Sequence, residues 1–178
     1  RQVLESRICL WSPLSRQPPS TSWPASQSSS SGCVGGRPVW PKSLGVGTIY
    51  LTPFFPAESN HRYNASTFSR VDPLLGGDEA MARLAAAARQ RGMRLMGDLT
   101  TNHCGNTHEW FQAALADAQS PEAKFFFFNE HPHEYDAWWN IRELPIFDHR
   151  SLELRRRLYD GLDSVVAKWL GAHALDAW

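Results

Sequence analysis

The chain is poor in cysteine, carries no excess of either charge, and lacks any long apolar run. Cys9, Cys33 and Cys104 are odd in number and far apart, so no disulfide framework is implied. Basic and acidic residues balance at 18 each, and no Lys/Arg stripe offers the phosphate-neutralising footprint of a nucleic-acid binder. With no run of about 18 apolar residues, no segment is expected to cross a bilayer. Arg1 to Leu14 hold neither an initiating Met nor the apolar stretch of a signal peptide, which leaves the compartment open and favours the cytoplasm. A phosphate-cradling glycine loop is missing too: Gly76-Gly77 runs into Asp78, whose charge repels an anion.

Aromatic residues, in contrast, are plentiful. Eight Trp and nine Phe accompany a 42% hydrophobic and 20% charged composition, which fits one soluble globular domain. Rings of this kind usually fill cores, and they also line sugar clefts because pyranose rings stack on flat apolar faces. Composition alone favours the core.

The chain changes character near Ser43. Half of its 12 prolines (Pro13, Pro18, Pro19, Pro24, Pro38 and Pro41) and the run Ser28 to Ser31 lie before that point. No helical or strand period survives there, so residues 1–42 are expected to be largely disordered and foreign to the fold, the product of a misplaced start or a frame error. From Leu44 the pattern is regular. Gly47 to Thr52 is β-branched and aromatic and ends at Pro53, as a buried strand does. Asp78 is placed to cap a helix with Met81, Leu84, Ala85 and Ala88 on one face, stopped by Gly92. Met93 to Asp98 reads as a second strand, which makes a βαβ unit with parallel pairing. A helix from Ser151 is expected to present Leu154, Leu158, Leu162, Val165 and Trp169 as one apolar face, and Leu175 to Trp178 to open a third strand.

Both connections that leave the strands are longer than structure requires. Pro53 to Gly77 and Thr101 to Arg150 greatly exceed the usual loop of about 2–6 residues, so they are expected to be functional or to carry a subdomain. In parallel α/β folds such loops lie at the carboxyl ends of the strands, where ligands bind. His61, Tyr63, Asp98, Asn102 and His103 all map to that end.

Each candidate has a plain alternative. Asp98 at the end of a buried strand needs a partner, which suggests a basic group nearby; an Asx turn with a solvated His103 explains the same residues equally well. His103, His108 and Glu109 lack zinc spacing, since the interval is five residues and Gly105 interrupts it. Zinc is not expected at His131, His133 and Glu134 either. Cys104 reads as a small filler, and Phe125 to Phe128 as strand or core.

From Leu44 to Trp178 the sequence resembles glycoside hydrolase family 13, the α-amylase family. Gly45 to Pro56 is similar to the family's second barrel strand and its exit. His61-Arg62-Tyr63 stands where the family has His-Gly-Tyr, and Asp98 to His103 resembles its Asp-x-x-x-Asn-His region. The resemblance implies an α/β fold: part of a (β/α)₈ barrel, with a small subdomain inserted at about 106–150 after the third barrel strand. It implies retaining cleavage of α-1,4-glucosidic bonds in maltooligosaccharides or starch-like glucans. Tyr63 would stack on the sugar at the bond to be cut, His61 would flank it, and His103 would bond its primary hydroxyl. Asp98 would orient an arginine on the next strand, Asn102 would ligate calcium in calcium-dependent members, and Arg62 would put a cation at the cleft rim.

Leu175 to Trp178 resembles the start of the region that continues Arg-x-Asp, with Ala177 for the usual glycine. The nucleophile and general acid would therefore follow Trp178, and the chain as given is expected to be inactive, with unpaired strand edges and poor solubility. A non-catalytic sugar-binding or interaction remnant of the same fold is the alternative.

Overall fold

The computed structural model describes residues 45–171 and 175–178, together with the backbone of residues 8–11. At its centre is the expected βαβ unit. Strand β2 (Thr48–Leu51) pairs in parallel with β3 (Arg94–Met96), with Ile49 opposite Leu95. Alternation along β2 buries Ile49 and Leu51 and leaves Thr48 and Tyr50 partly open.

Helix α1 (Gly77–Gln90) joins the two strands and buries Ala80, Met81, Ala85 and Ala88. Asp78 is not its cap. The helix starts from Gly76, whose φ of +94° suits glycine, and Asp78 sits in the first turn, where its carboxylate accepts the Val71 N–H at 2.7 Å. At the far end Gly92 takes a φ of +63° and turns the chain into β3.

A third parallel position opens as expected. Ala177 bridges Met96 in parallel, the Gly97 N–H donates to the Ala177 carbonyl at 2.9 Å, and the Asp176 carboxylate accepts the Leu95 N–H at 2.8 Å. On the other side of β2, strand β1 (Ile8–Trp11) pairs antiparallel. Regular structure at β1 departs from the expectation for residues 1–42; the rest of that segment lies outside the described residues.

The helix expected from Ser151 is broken. Helix α3 (Leu152–Arg155) runs into a π turn over Arg156–Asp160, Gly161 is extended, and α4 (Val165–Gly171) begins afresh. A π turn adds a residue to the winding and rotates the side chains beyond it. Leu154, Leu158 and Trp169 are therefore buried, whereas Leu162 is fully exposed rather than part of the apolar face. Trp169 seats against Phe54 and Phe55 with ring centroids 5.2 and 5.4 Å away, and its indole N–H donates to the Phe68 carbonyl at 2.8 Å. Among the described residues, seven of the nine Phe and Trp169 are buried in the core.

The excursion between β3 and α3 holds helix α2 (Glu109–Ala116) and the antiparallel pair β4 (Phe128–Glu130) and β5 (Glu134–Tyr135). Phe125 and Phe126 are buried, as core residues should be. The excursion folds back on the end of β3: His103 bridges Ile146, and the Phe147 N–H donates to the Asn102 carbonyl at 3.0 Å.

Candidate functional site

Asp98 stands two residues past β3, half-buried at the carboxyl end of the sheet. One of its carboxylate oxygens accepts two phenols, Tyr50 from β2 at 2.6 Å and Tyr63 from the following loop at 2.9 Å. The carboxylate is therefore satisfied by hydroxyl donors, and among the described residues no basic group forms an ion pair with it. Tyr50, the second donor, was signalled by its place on the half-open side of β2.

Side chains alternate along the loop. His61 and Tyr63 point to solvent while Arg62 points in. The Tyr63 N–H donates to His61 Nδ1 at 3.2 Å, Ser59 Oγ holds that same nitrogen at 3.1 Å, and the two rings lie 5.8 Å apart. Arg62 is not at the rim. It takes a left-handed φ of +63° and pairs with Asp72 at 2.7 Å, with both side chains buried. That φ gives a physical reason for a glycine at this place in the family pattern: an L side chain is strained there.

His103 is 4% exposed. Its Nδ1 lies 3.2 Å from the Asn102 amide, and its Nε2 is buried without a hydrogen-bond partner. Burial pushes the imidazole below its ordinary pKa, the nearby Tyr63 backbone acts the other way, and the charge of His61 lowers it further. His61, Tyr63 and His103 thus share one neighbourhood. The loops that carry them are laced together: the Gly105 N–H donates to the Ala65 carbonyl at 2.9 Å, and Thr67 donates to Glu109 at 2.9 Å. The ring of His103 stacks on Trp138 at 4.9 Å. Sequence reasoning passed over Trp138; two adjacent Trp in an otherwise polar stretch were the available signal.

The remaining candidates have structural duties. Cys104 is buried and its thiol is pushed well up by desolvation, which leaves no nucleophilic thiolate. His131 and His149 each bond a backbone carbonyl, of Ala114 at 2.7 Å and Thr101 at 2.8 Å. Among the described residues no group of three His, Cys, Asp or Glu side chains could hold a metal ion. Calcium takes about 6–8 oxygens. Asn102 supplies a single amide oxygen, and the Asp148 carboxylate nearby in the fold is engaged by Arg150 at 2.7 Å.

The family profile described as alpha amylase, catalytic domain, matches residues 40–171. A cyclomaltodextrinase from Geobacillus thermopakistaniensis is 31% identical over 142 residues, covering 76% of this chain and 24% of that protein. An intracellular maltogenic amylase from Bacillus subtilis is 30% identical over 141 residues, covering 77% of this chain and 23% of that protein. Among solved structures, cyclic alpha-maltosyl-(1→6)-maltose hydrolase from Arthrobacter globiformis in complex with maltose superposes with a TM-score of 0.69 at 32% identity, covering 77% of this chain and 32% of that one. The chain spans about a quarter of the length of the curated relatives it matches. With a parallel βαβ unit at its centre and a profile match across most of its length, this chain belongs to the α-amylase catalytic-domain family of glycoside hydrolases.

Proposed function

We propose that the chain is the amino-terminal part of a retaining α-glucan hydrolase barrel, whose mouth binds a glucosyl unit of a maltooligosaccharide between Tyr63 and His103. In this reading β2 and β3 are the second and third strands of a (β/α)₈ barrel, and residues 106–150 are the subdomain inserted after the third. The carrying observation is the pairing of a Tyr63 ring 40% exposed with a buried imidazole nitrogen of His103 that lacks a partner. A sugar offers an apolar face to the first and a hydroxyl to the second. The neutral imidazole that burial favours can bond that hydroxyl without bringing a charge into the cleft. Asp98 fixes the Tyr63 ring through its phenol.

Retaining cleavage needs two carboxyl groups about 5–5.5 Å apart, one attacking and one protonating the leaving oxygen. The family pattern puts those in the Arg-x-Asp region that Leu175 to Trp178 opens and after it, so this part of the protein is proposed to supply sugar binding rather than the attacking carboxylate. The relatives named above support maltooligosaccharides as the substrate class, and the intracellular relative supports a cytoplasmic setting. Calcium at Asn102 rests on the resemblance; a rise in thermal midpoint with millimolar calcium would support it, and an unchanged midpoint would count against it.

Calorimetric titration of the chain with maltoheptaose tests the reading. Binding is expected, with at least a tenfold loss in Tyr63→Ala and His103→Ala. Silence at millimolar sugar would discard it.

A further inference from the structure

We infer that His149 is a positioning residue: it holds the Thr101 carbonyl, and through it the place of the His103 ring relative to Tyr63. The inference rests on the reading of Tyr63 and His103 as a sugar site, which it deepens.

The returning excursion holds residues 102–104 in a short antiparallel ladder. The Cys104 N–H donates to the Pro145 carbonyl at 3.3 Å, His103 bridges Ile146, and the Phe147 N–H donates to the Asn102 carbonyl. There the ladder stops, because the Asp148 N–H turns away to the Phe125 carbonyl at 2.7 Å. A side chain takes over. His149 Nε2 donates to the Thr101 carbonyl at 2.8 Å. A ring nitrogen facing a carbonyl must carry the proton, so in the neutral imidazole Nδ1 is left as an acceptor. It receives the Tyr159 phenol at 3.3 Å, so each nitrogen has a partner that fits one tautomer.

Thr101 stands between the two working ends of its segment. Three residues before it Asp98 accepts the Tyr63 phenol, and two after it His103 presents the nitrogen that lacks a partner. Neither helix nor strand runs through residues 99–101, so no regular backbone pattern sets the spacing of those ends. The His149 bond is a tether at the middle. It is solvent-exposed, where a hydrogen bond adds little to stability, so what it sets is geometry.

The π turn supplies the far end of the tether. Turns of this kind inside helices frequently mark functional places. This one leaves Leu162 fully in water, and in exchange it offers Tyr159 to His149. Its Arg157 pairs with Glu122 and lies 5.2 Å over the ring of Phe125, whose carbonyl is the one that Asp148 bonds. Two side chains of the π turn therefore grip the return of the excursion on which His149 is carried.

The test combines calorimetric titration of the chain with maltoheptaose and the NMR signal of the His103 ring. His149→Ala removes the donor, whereas His149→Gln keeps an amide N–H near the place of Nε2. The expected result in His149→Ala is a Kd weaker by roughly fivefold, the affinity equivalent of about one net hydrogen bond. The His103 signal should be displaced while the buried Trp169 indole signal stays put. Both affinity and His103 signal should return in His149→Gln, a rescue that mere filling of space would not give. An unmoved affinity or an unmoved His103 signal in His149→Ala would overturn the inference, and so would a loss that His149→Gln leaves unrepaired. If His149→Ala does not fold, His149→Asn, whose shorter amide falls short of the Thr101 carbonyl, is judged by the same outcomes. Silence of the wild type toward the sugar would discard the sugar reading of the mouth; displacement of the His103 signal in His149→Ala and its return in His149→Gln would then still decide the positioning role.

Discussion

Arg62 and Asp72 form a 2.7 Å ion pair with side chains only 6% and 5% exposed, directly beneath the loop that presents His61 and Tyr63. The guanidinium takes up one oxygen of Asp72, while the other accepts the Leu74 N–H at 2.8 Å and starts the short turn before α1. A residue strained at φ +63° is thereby tied to the entry of the helix, and Tyr63 is carried on that tie.

The two halves of this pair should respond unequally. Asp72→Asn leaves a buried guanidinium without its counter-charge, a loss of about 3–5 kcal/mol. Arg62→Gly also removes a partner, but it recovers about 1–2 kcal/mol of left-handed strain and leaves Asp72 its backbone donor. Urea unfolding should therefore rank Asp72→Asn well below Arg62→Gly. The reverse order would mean that the pair is not what holds the loop.

Much of this arrangement could be read from residue types and spacing, and the remainder fails for identifiable reasons. Strands β2 and β3 and helix α1 follow from period and punctuation, with Gly92 marking the turn between helix and strand. His61, Tyr63, Asp98 and His103 were legible because parallel strands place such residues at one end. Arg62 was misread as a rim cation because a charge in a loop ordinarily means solvent; its burial depends on Asp72, ten residues on, and on a φ that no spacing announces. Leu162 failed because a π turn rotates the helix by a residue, and its apolar period looks the same with or without that turn. The Trp138 stack on His103 joins residues 35 positions apart, and only the folded excursion brings them together.

His108 sets an acid limit on the fold. Its Nδ1 accepts the Trp110 N–H at 3.1 Å at the start of α2, so the neutral ring carries its proton on Nε2, which is buried without a partner. Desolvation lowers its pKa to about 3 from an ordinary 6.5. The unfolded chain then binds the extra proton first as pH falls. Stability is full above pH 6.5 and declines below it by about 1.4 kcal/mol per unit, until the folded pKa is reached. His108→Asn keeps a cap acceptor and removes the titration. Unfolding series from pH 7 to pH 4 should show a shallower decline in the variant; parallel slopes would contradict the assignment.

Gly105 is required for contact between the two loops. A Cβ there would collide with the Asn64 carbonyl oxygen and sit 3.1 Å from that of Ala65, both backbone atoms that cannot swing aside. Gly105→Ala should force the Tyr63 loop away from His103, destabilising the fold by about 1–3 kcal/mol. It should also weaken maltoheptaose binding although no sugar-contacting side chain has changed. Retained affinity together with lowered stability would show that the loops bind sugar independently of their spacing.

Tyr63 separates ring from hydroxyl. Its phenol is one of two donors on Asp98, and Tyr50 remains to satisfy that carboxylate when the other is lost. Tyr63→Phe should therefore cost only about 1 kcal/mol of stability, since the bond is solvent-exposed. The aromatic face is intact, so maltoheptaose affinity should fall no more than about threefold, against at least tenfold for Tyr63→Ala. Tyr50→Phe with Tyr63→Phe together strips the carboxylate of both phenols, and the double variant should lose more stability than the two single losses added. If Tyr63→Phe alone matched Tyr63→Ala in sugar affinity, the hydroxyl and its hold on Asp98 would be the binding element, and stacking on the ring would not.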